Sequence, residues 1–203
     1  MNIPAHIKEV VLSLYSIEYL LKCRVSGMDG NRLLVAPVSG KVDMFQFNDP
    51  VVVLYMDNGQ LEMKSGDINV IDNKNMEVAI AVAEREVNQD RRIFERYPAS
   101  MALSARRKFS NKRLNFVAKN ISLYGIGAIS KADMDLDEQV DIDLIAGKYM
   151  FYFGGKVVWK SKLENCFEYG FQLTDFDIAT KMSFEVYLGK LKNEFLSAYS
   201  KAR

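Results

Sequence analysis

Cysteine and histidine are scarce in this chain of 203 residues. The two cysteines, Cys23 and Cys166, stand far apart and fit no metal-ligand spacing. They are read as free thiols of a reducing compartment, Cys166 as a half-buried structural one. His6 is the sole histidine, which excludes a histidine-based catalytic triad and a multi-histidine metal centre. No run of about 18 uncharged apolar residues occurs, so no membrane-spanning helix is expected. The opening segment, residues 3–21, carries Lys8, Glu9 and Glu18 among its apolar residues and does not read as a secretory leader. A cytoplasmic protein is expected. Net charge is lacking too: 27 Lys and Arg against 26 Asp and Glu leave +1. Without a basic field the chain is not expected to bind a nucleic-acid polymer, and any anion site must be local.

What remains is ordinary globular material, 49% hydrophobic and 26% charged. Its length suits one large domain or two small ones. At the start Ile7, Val10, Val11 and Leu14 fall at helical spacing, so a short helix is expected there. From Tyr19 the pattern turns to strands. Tyr19 to Val25 and Arg32 to Val35 flank the turn signal Met28-Asp29-Gly30-Asn31. Val51 to Tyr55 and Gln60 to Lys64 flank Asp57-Asn58-Gly59, a strong hairpin signal, and Ser65-Gly66-Asp67 is expected to end the second of them. Ile68 to Asp72 and Met76 to Ala83 follow. Short strands at this spacing predict a small barrel or sandwich.

The composition then changes. Residues 83–96 read AEREVNQDRRIFER, charged and without a strand period. Six further strands are predicted after it: Pro98 to Ala105, Leu114 to Ile121, Gly127 to Ser130, Val140 to Ile145, Tyr149 to Trp159 and Phe167 to Leu173. Gln139, Asp141 and Asp143 alternate with Val140, Ile142 and Leu144, which gives that strand one wet face. From Ile178 a helix is predicted, with Met182, Val186, Leu188, Leu191 and Phe195 as its apolar face and Asp175 or Asp177 as its cap. The fold class is therefore all-β with a C-terminal helix, built as two small β-barrels. No repeat of fixed period links the two halves.

Two short stretches carry chemistry. Arg91-Arg92-Ile93-Phe94-Glu95-Arg96 holds three guanidiniums, which grip phosphate with paired hydrogen bonds and stack on flat π systems. Asn120-Ile121-Ser122-Leu123-Tyr124-Gly125 lies at a strand end. Asn120 and Ser122 are two apart and share a face in extended backbone. Their amide and hydroxyl suit purine edges or phosphate oxygens. Gly125 is expected to turn the chain with positive φ and admit a close ligand, and Gly127 repeats that freedom. Each stretch alone has a plainer reading, a solvated linker and a turn bonding its own backbone.

In order and at this spacing, the two resemble the signatures of the PilZ domain, RxxxR as Arg92 through Arg96 and [DN]xSxxG as Asn120 through Gly125. Val157-Val158-Trp159 and Tyr169-Gly170-Phe171-Gln172-Leu173 with Asp175 resemble two more of its strands. The likeness runs from about Asp90 to Asp177 and makes the second barrel a six-stranded PilZ barrel. The first half is similar to the N-terminal barrel of YcgR-type flagellar brakes. Tyr124 departs from the pattern, standing where glycine is common. The division implied is an N-terminal barrel over residues 1–86, a linker over 87–97 carrying the arginine switch, and a PilZ barrel with its helix over 98–203.

The resemblance implies a bacterial receptor for cyclic di-GMP, not an enzyme, with no cofactor and no metal. Arg91, Arg92 and Arg96 would clamp phosphate and guanine; Asn120, Ser122, Gly125 and Gly127 would meet the ligand from the barrel. Ligand binding would rearrange the barrels and regulate motility, adhesion or exopolysaccharide output through a protein partner such as the flagellar motor. The alternative is a ligand-independent adaptor that binds protein only. Monomer and homodimer both stay open. Trp159 reads as barrel core, the acidic stretch Asp133 to Asp143 as a solvated face, and Phe109 with Arg106, Arg107 and Lys108 as a basic hairpin tip rather than an RNA contact.

Overall fold

The computed structural model describes residues 3–15, 20–83 and 94–202. The chain divides into two compact units, Met1–Arg92 with Lys192–Arg203, and Ile93–Leu191. Each holds one closed six-stranded antiparallel barrel.

In the first unit β1 (Glu9–Leu14), β2 (Leu21–Asp29), β3 (Arg32–Pro37), β4 (Pro50–Asp57), β5 (Gln60–Asp72) and β6 (Glu77–Val82) close in the order β1-β2-β3-β6-β5-β4. The expected opening helix is instead β1. Its apolar run has helical spacing because both faces of the strand are covered. Val10, Leu12 and Leu14 enter the barrel interior with Val51, Val53 and Tyr55 of β4. Val11 packs outside with Val52, Leu54 and Leu61, under Tyr199. A strand buried on both faces loses its alternation and cannot be told from a helix by period.

The Asn58-Gly59 turn forms as expected, with both residues left-handed. The break expected at residues 65–67 does not. β5 continues through Gly66, where a Cβ would lie 2.5 Å from Ile80 Cγ2, so this glycine allows close packing inside a strand rather than ending one. Asp72 orders the next turn by accepting from the Lys74 and Asn75 amides at 2.9 and 3.1 Å.

In the second unit all six predicted strands are present: β7 (Tyr97–Arg107), β8 (Arg113–Ser122), β9 (Gly125–Ser130), β10 (Gln139–Ala146), β11 (Tyr149–Lys162) and β12 (Phe167–Thr174). They close as β10-β11-β12-β9-β8-β7. Renumbered from one, this is the connectivity of the first barrel. The β2–β3 and β5–β6 ladders of the first barrel carry register shifts, and so do the equivalent β8–β9 and β11–β12 ladders. The halves share a fold that no sequence period announces.

The second barrel is filled with aromatic rings. Phe116 meets Tyr169 and Phe171 edge-on at 5.7 and 5.4 Å. The wet face of β10 is as predicted: Val140, Ile142 and Leu144 are buried, while Asp141 and Asp143 pair outward with Arg106 and Arg113 at 3.0 and 3.2 Å. Phe109 stands fully exposed at the β7–β8 tip in left-handed backbone, at φ 68°. Cys23 and Cys166 are both buried free thiols.

α1 spans Ile178–Ala202. Asp177 is its cap, accepting from the Thr180 amide and hydroxyl, each at 2.8 Å. Those bonds, the amide first, hold its carboxyl below the ordinary carboxylate range. The predicted apolar face needs correction. Phe184, Tyr187, Leu188 and Leu191 are buried, but Met182 and Val186 point to solvent. Phe184 meets Phe151 and Phe153 of the barrel at 5.0 and 4.9 Å.

Candidate functional site

β8 and β9 are joined by the two residues Leu123 and Tyr124, with Ser122 opposite Gly125. The Ser122 hydroxyl donates to the Gly125 carbonyl at 3.1 Å and is only 6% exposed. The Ser122 hydroxyl thus closes its own turn. Gly125 and Gly127 are needed for a different reason than expected. Neither adopts left-handed backbone, which occurs at Gly30, Gly40, Gly59 and Gly147. Space is what they supply. A Cβ on Gly125 would come within 3.3 Å of the Phe171 carbonyl, and one on Gly127 within 2.7 Å of the Asn120 amide nitrogen.

Asn120 is thus laid flat over Gly127. Its Oδ1 is buried and has no hydrogen-bond partner among the described residues. A buried amide oxygen without a donor costs about 1–3 kcal/mol, so this atom is poised to accept a bond.

The register extends the site across the barrel. Asn120 pairs with Gly127, Gly127 with Gly170 of β12, and Gly170 with Trp159 of β11. The four form a row on the outer surface, two glycines flanked by an amide and an indole. The Trp159 side chain lies against Gly170, and the residue is 47% exposed, so it is not barrel core as expected. A bulge at Val158, beside the usual alternation, turns Trp159 outward. The equivalent row of the first barrel is Gly27, Leu34, Ala79 and Val70. It has no polar side chain and no paired glycines.

Phe94 to Arg96 reach the same end of the second barrel. Phe94 packs on Tyr124 with ring centroids 4.6 Å apart. Tyr124 also meets Phe176 at 5.9 Å, and the Lys181 ammonium lies 5.1 Å from its centroid. Tyr124, through its hydroxyl, holds the Lys181 ammonium above its ordinary pKa. The Tyr97 hydroxyl donates to Glu95 at 3.1 Å. Arg96 is exposed and directly precedes Tyr97, whose β7–β8 partner Ile121 lies between Asn120 and Ser122. Arg91 and Arg92 lie outside the described residues.

The PilZ domain family profile matches residues 90–190, covering both stretches, the barrel and the start of α1. The chain carries a PilZ domain. No curated protein matches the sequence. Among solved structures the chain is similar to the Bacillus subtilis inhibitor of motility MotI/DgrA, at 16% identity over 93% of this chain and 98% of that one, with a TM-score of 0.46. It is similar to YcgR in complex with c-di-GMP from Escherichia coli, at 14% identity over 96% and 88% with a TM-score of 0.48. It is similar also to the K. pneumonia MrkH–c-di-GMP complex, at 14% identity over 95% and 89% with a TM-score of 0.46.

Within the PilZ domain, Asn120, Ser122, Gly125 and Gly127 stand together, with Phe94 to Arg96 beside them. Gly170, Trp159 and the Phe94–Tyr124 contact were not singled out as site features from the sequence. The first two emerge only from cross-strand register. An apolar Phe94 inside a charged stretch was the available signal for the third. Among the described residues no group of three or more His, Cys, Asp or Glu side chains is placed to hold a metal. No helix among them is long and apolar enough to cross a membrane.

Proposed function

We propose that the PilZ domain is a receptor for cyclic di-GMP and that Arg91, Arg92, Arg96, Asn120, Ser122, Gly125 and Gly127 form its site. The observation that carries this is the Oδ1 of Asn120, without a partner among the described residues and held over Gly127, with Phe94 to Arg96 nearby. A guanine Watson–Crick edge offers the N–H donors that atom lacks. Two phosphates supply what paired guanidiniums grip. The flat glycine surface beside Trp159 suits an aromatic base. Ser122 and Gly125 contribute by fixing the turn, and Gly127 by leaving room for Asn120.

The chain acts as a receptor rather than an enzyme and works in the cytoplasm. The first barrel is a YcgR-type N-terminal domain. The divisions 1–86, 87–97 and 98–203 mark N-terminal domain, switch segment and PilZ domain. Ligand shifts the arrangement of the two barrels by its differential affinity for one arrangement, and a protein partner in motility, adhesion or exopolysaccharide output reads the change.

Calorimetric titration with cyclic di-GMP tests the reading. Saturable heat is expected, lost in Arg92→Ala and in Arg96→Ala with thermal unfolding unchanged. A flat titration of the folded wild-type chain removes the receptor and leaves the ligand-independent adaptor.

A further inference from the structure

α1 has two apolar faces, and its barrel covers one. Phe184, Tyr187, Leu188 and Leu191 are buried, Phe184 and Tyr187 against Phe151 of the second barrel. On the other side Ala179, Met182, Val186 and Gly189 are exposed, Met182 at 62% and Val186 at 55%. Their spacing is three, four and three residues. Along the helix the same spacing continues to Asn193 and Leu196, both exposed. A three-four alternation averages 3.5 residues, the period that keeps a seam facing a partner helix. With Ala179 as position a, the seam occupies a and d, and the four buried residues occupy b, c and f. The back of the helix is buried and the seam is left open.

We propose that this seam pairs with the same seam of a second copy of the chain, as a parallel two-fold helix pair. Charge placement selects that occupant. Glu185 falls at g and Lys190 at the following e, five residues on. In a parallel pair these are the two positions that meet across the seam, and two-fold symmetry forms the contact twice. Both residues are exposed. Asn193 sits at a, where a polar residue sets register and strand number. Gly189 at d lets the two backbones approach. A cavity of about 290 Å³ opens beside the seam between Tyr149, Ser183 and Lys190, with room for a partner's side chain. Most helical stability in proteins comes from packing of an apolar face. α1 is already ordered on its barrel, so pairing bears little further ordering cost.

Sedimentation of the full chain over a concentration series tests the pairing. The mass is expected to rise with concentration from 23.1 kDa to twice that value. Glu185→Lys and Lys190→Glu, each alone, place like charges across the seam twice and weaken association about tenfold. The double variant restores it, and so does an equimolar mixture of the two single variants. Met182→Lys abolishes it. A chain that stays at 23.1 kDa throughout overturns the proposal. So does a dimer indifferent to the single reversals, or one the double variant fails to restore while its thermal unfolding matches wild type.

Discussion

Phe94 leans on Tyr124 at a tilt of 58° and a centroid distance of 4.6 Å, and so joins residues 94–96 to the turn of the second motif. Tyr124 stands where the family commonly has glycine, and its ring supplies the surface Phe94 uses. A tilted aromatic pair is worth about 0.5–1.5 kcal/mol beyond its buried area. Phe94→Ala is expected to weaken cyclic di-GMP binding about 3–10-fold by calorimetry, with the arginines untouched and barrel unfolding unchanged. Equal affinity in variant and wild type would mean that the contact plays no part in presenting the arginines.

Gly127→Ala probes the platform. The added methyl falls within 3 Å of the Asn120 side chain and must lift the amide from its place. Binding is expected to drop about tenfold or more, because the unpartnered oxygen no longer faces the ligand. The cost to stability is set by overpacking alone, about 1–3 kcal/mol. An alanine variant that binds like wild type would detach Asn120 from recognition.

Trp159 is the sole tryptophan, half-exposed at one end of the row. Its emission therefore reports one place on the molecule. Saturating cyclic di-GMP is expected to shift or quench it, with a midpoint equal to the calorimetric one. Binding heat without any change in emission would put the ligand away from β11 and β12.

Alkaline pH should destabilise the first barrel. Burial pushes the Cys23 thiol up to about 12 from 9.0. Burial, then Glu62 and Asp57, push the Tyr55 phenol up to about 12 from 10.0. The unfolded chain releases both protons before the folded one does. The contribution is thus complete below pH 9 and lost as pH rises toward 12. Thermal melts across that window should show falling Tm, and Cys23→Val should remove part of the slope. Native Cys23 should also resist thiol reagents until the barrel opens.

The sequence made the second barrel legible because its strands alternate. Val140, Asp141, Ile142 and Asp143 keep strict period, and interior and solvent faces follow from it. β1 was misread because two-sided burial erases that period. α1 itself is as predicted, but its buried face is not, for a related reason: Met182 and Val186 belong to one face, Leu188 and Leu191 to the opposite one, and a single stripe drawn through all four merges them. The site was legible as motif and not as geometry. Asn120 to Gly125 is continuous in sequence, but Gly170 and Trp159 reach Gly127 only through strand pairing and a bulge. Gly66 shows the same limit, since its neighbour Ile80 is distant in sequence.

The paired barrels have one more consequence. Residues of the second row point outward, while Ile121, Ile126 and Phe171 beside them point into the interior. The proposed recognition surface thus lies on the opposite skin of the wall from cohesion. One scaffold can wear a hollow, polar exterior in one copy and a filled, greasy one in the other, and lose none of the packing that closes it.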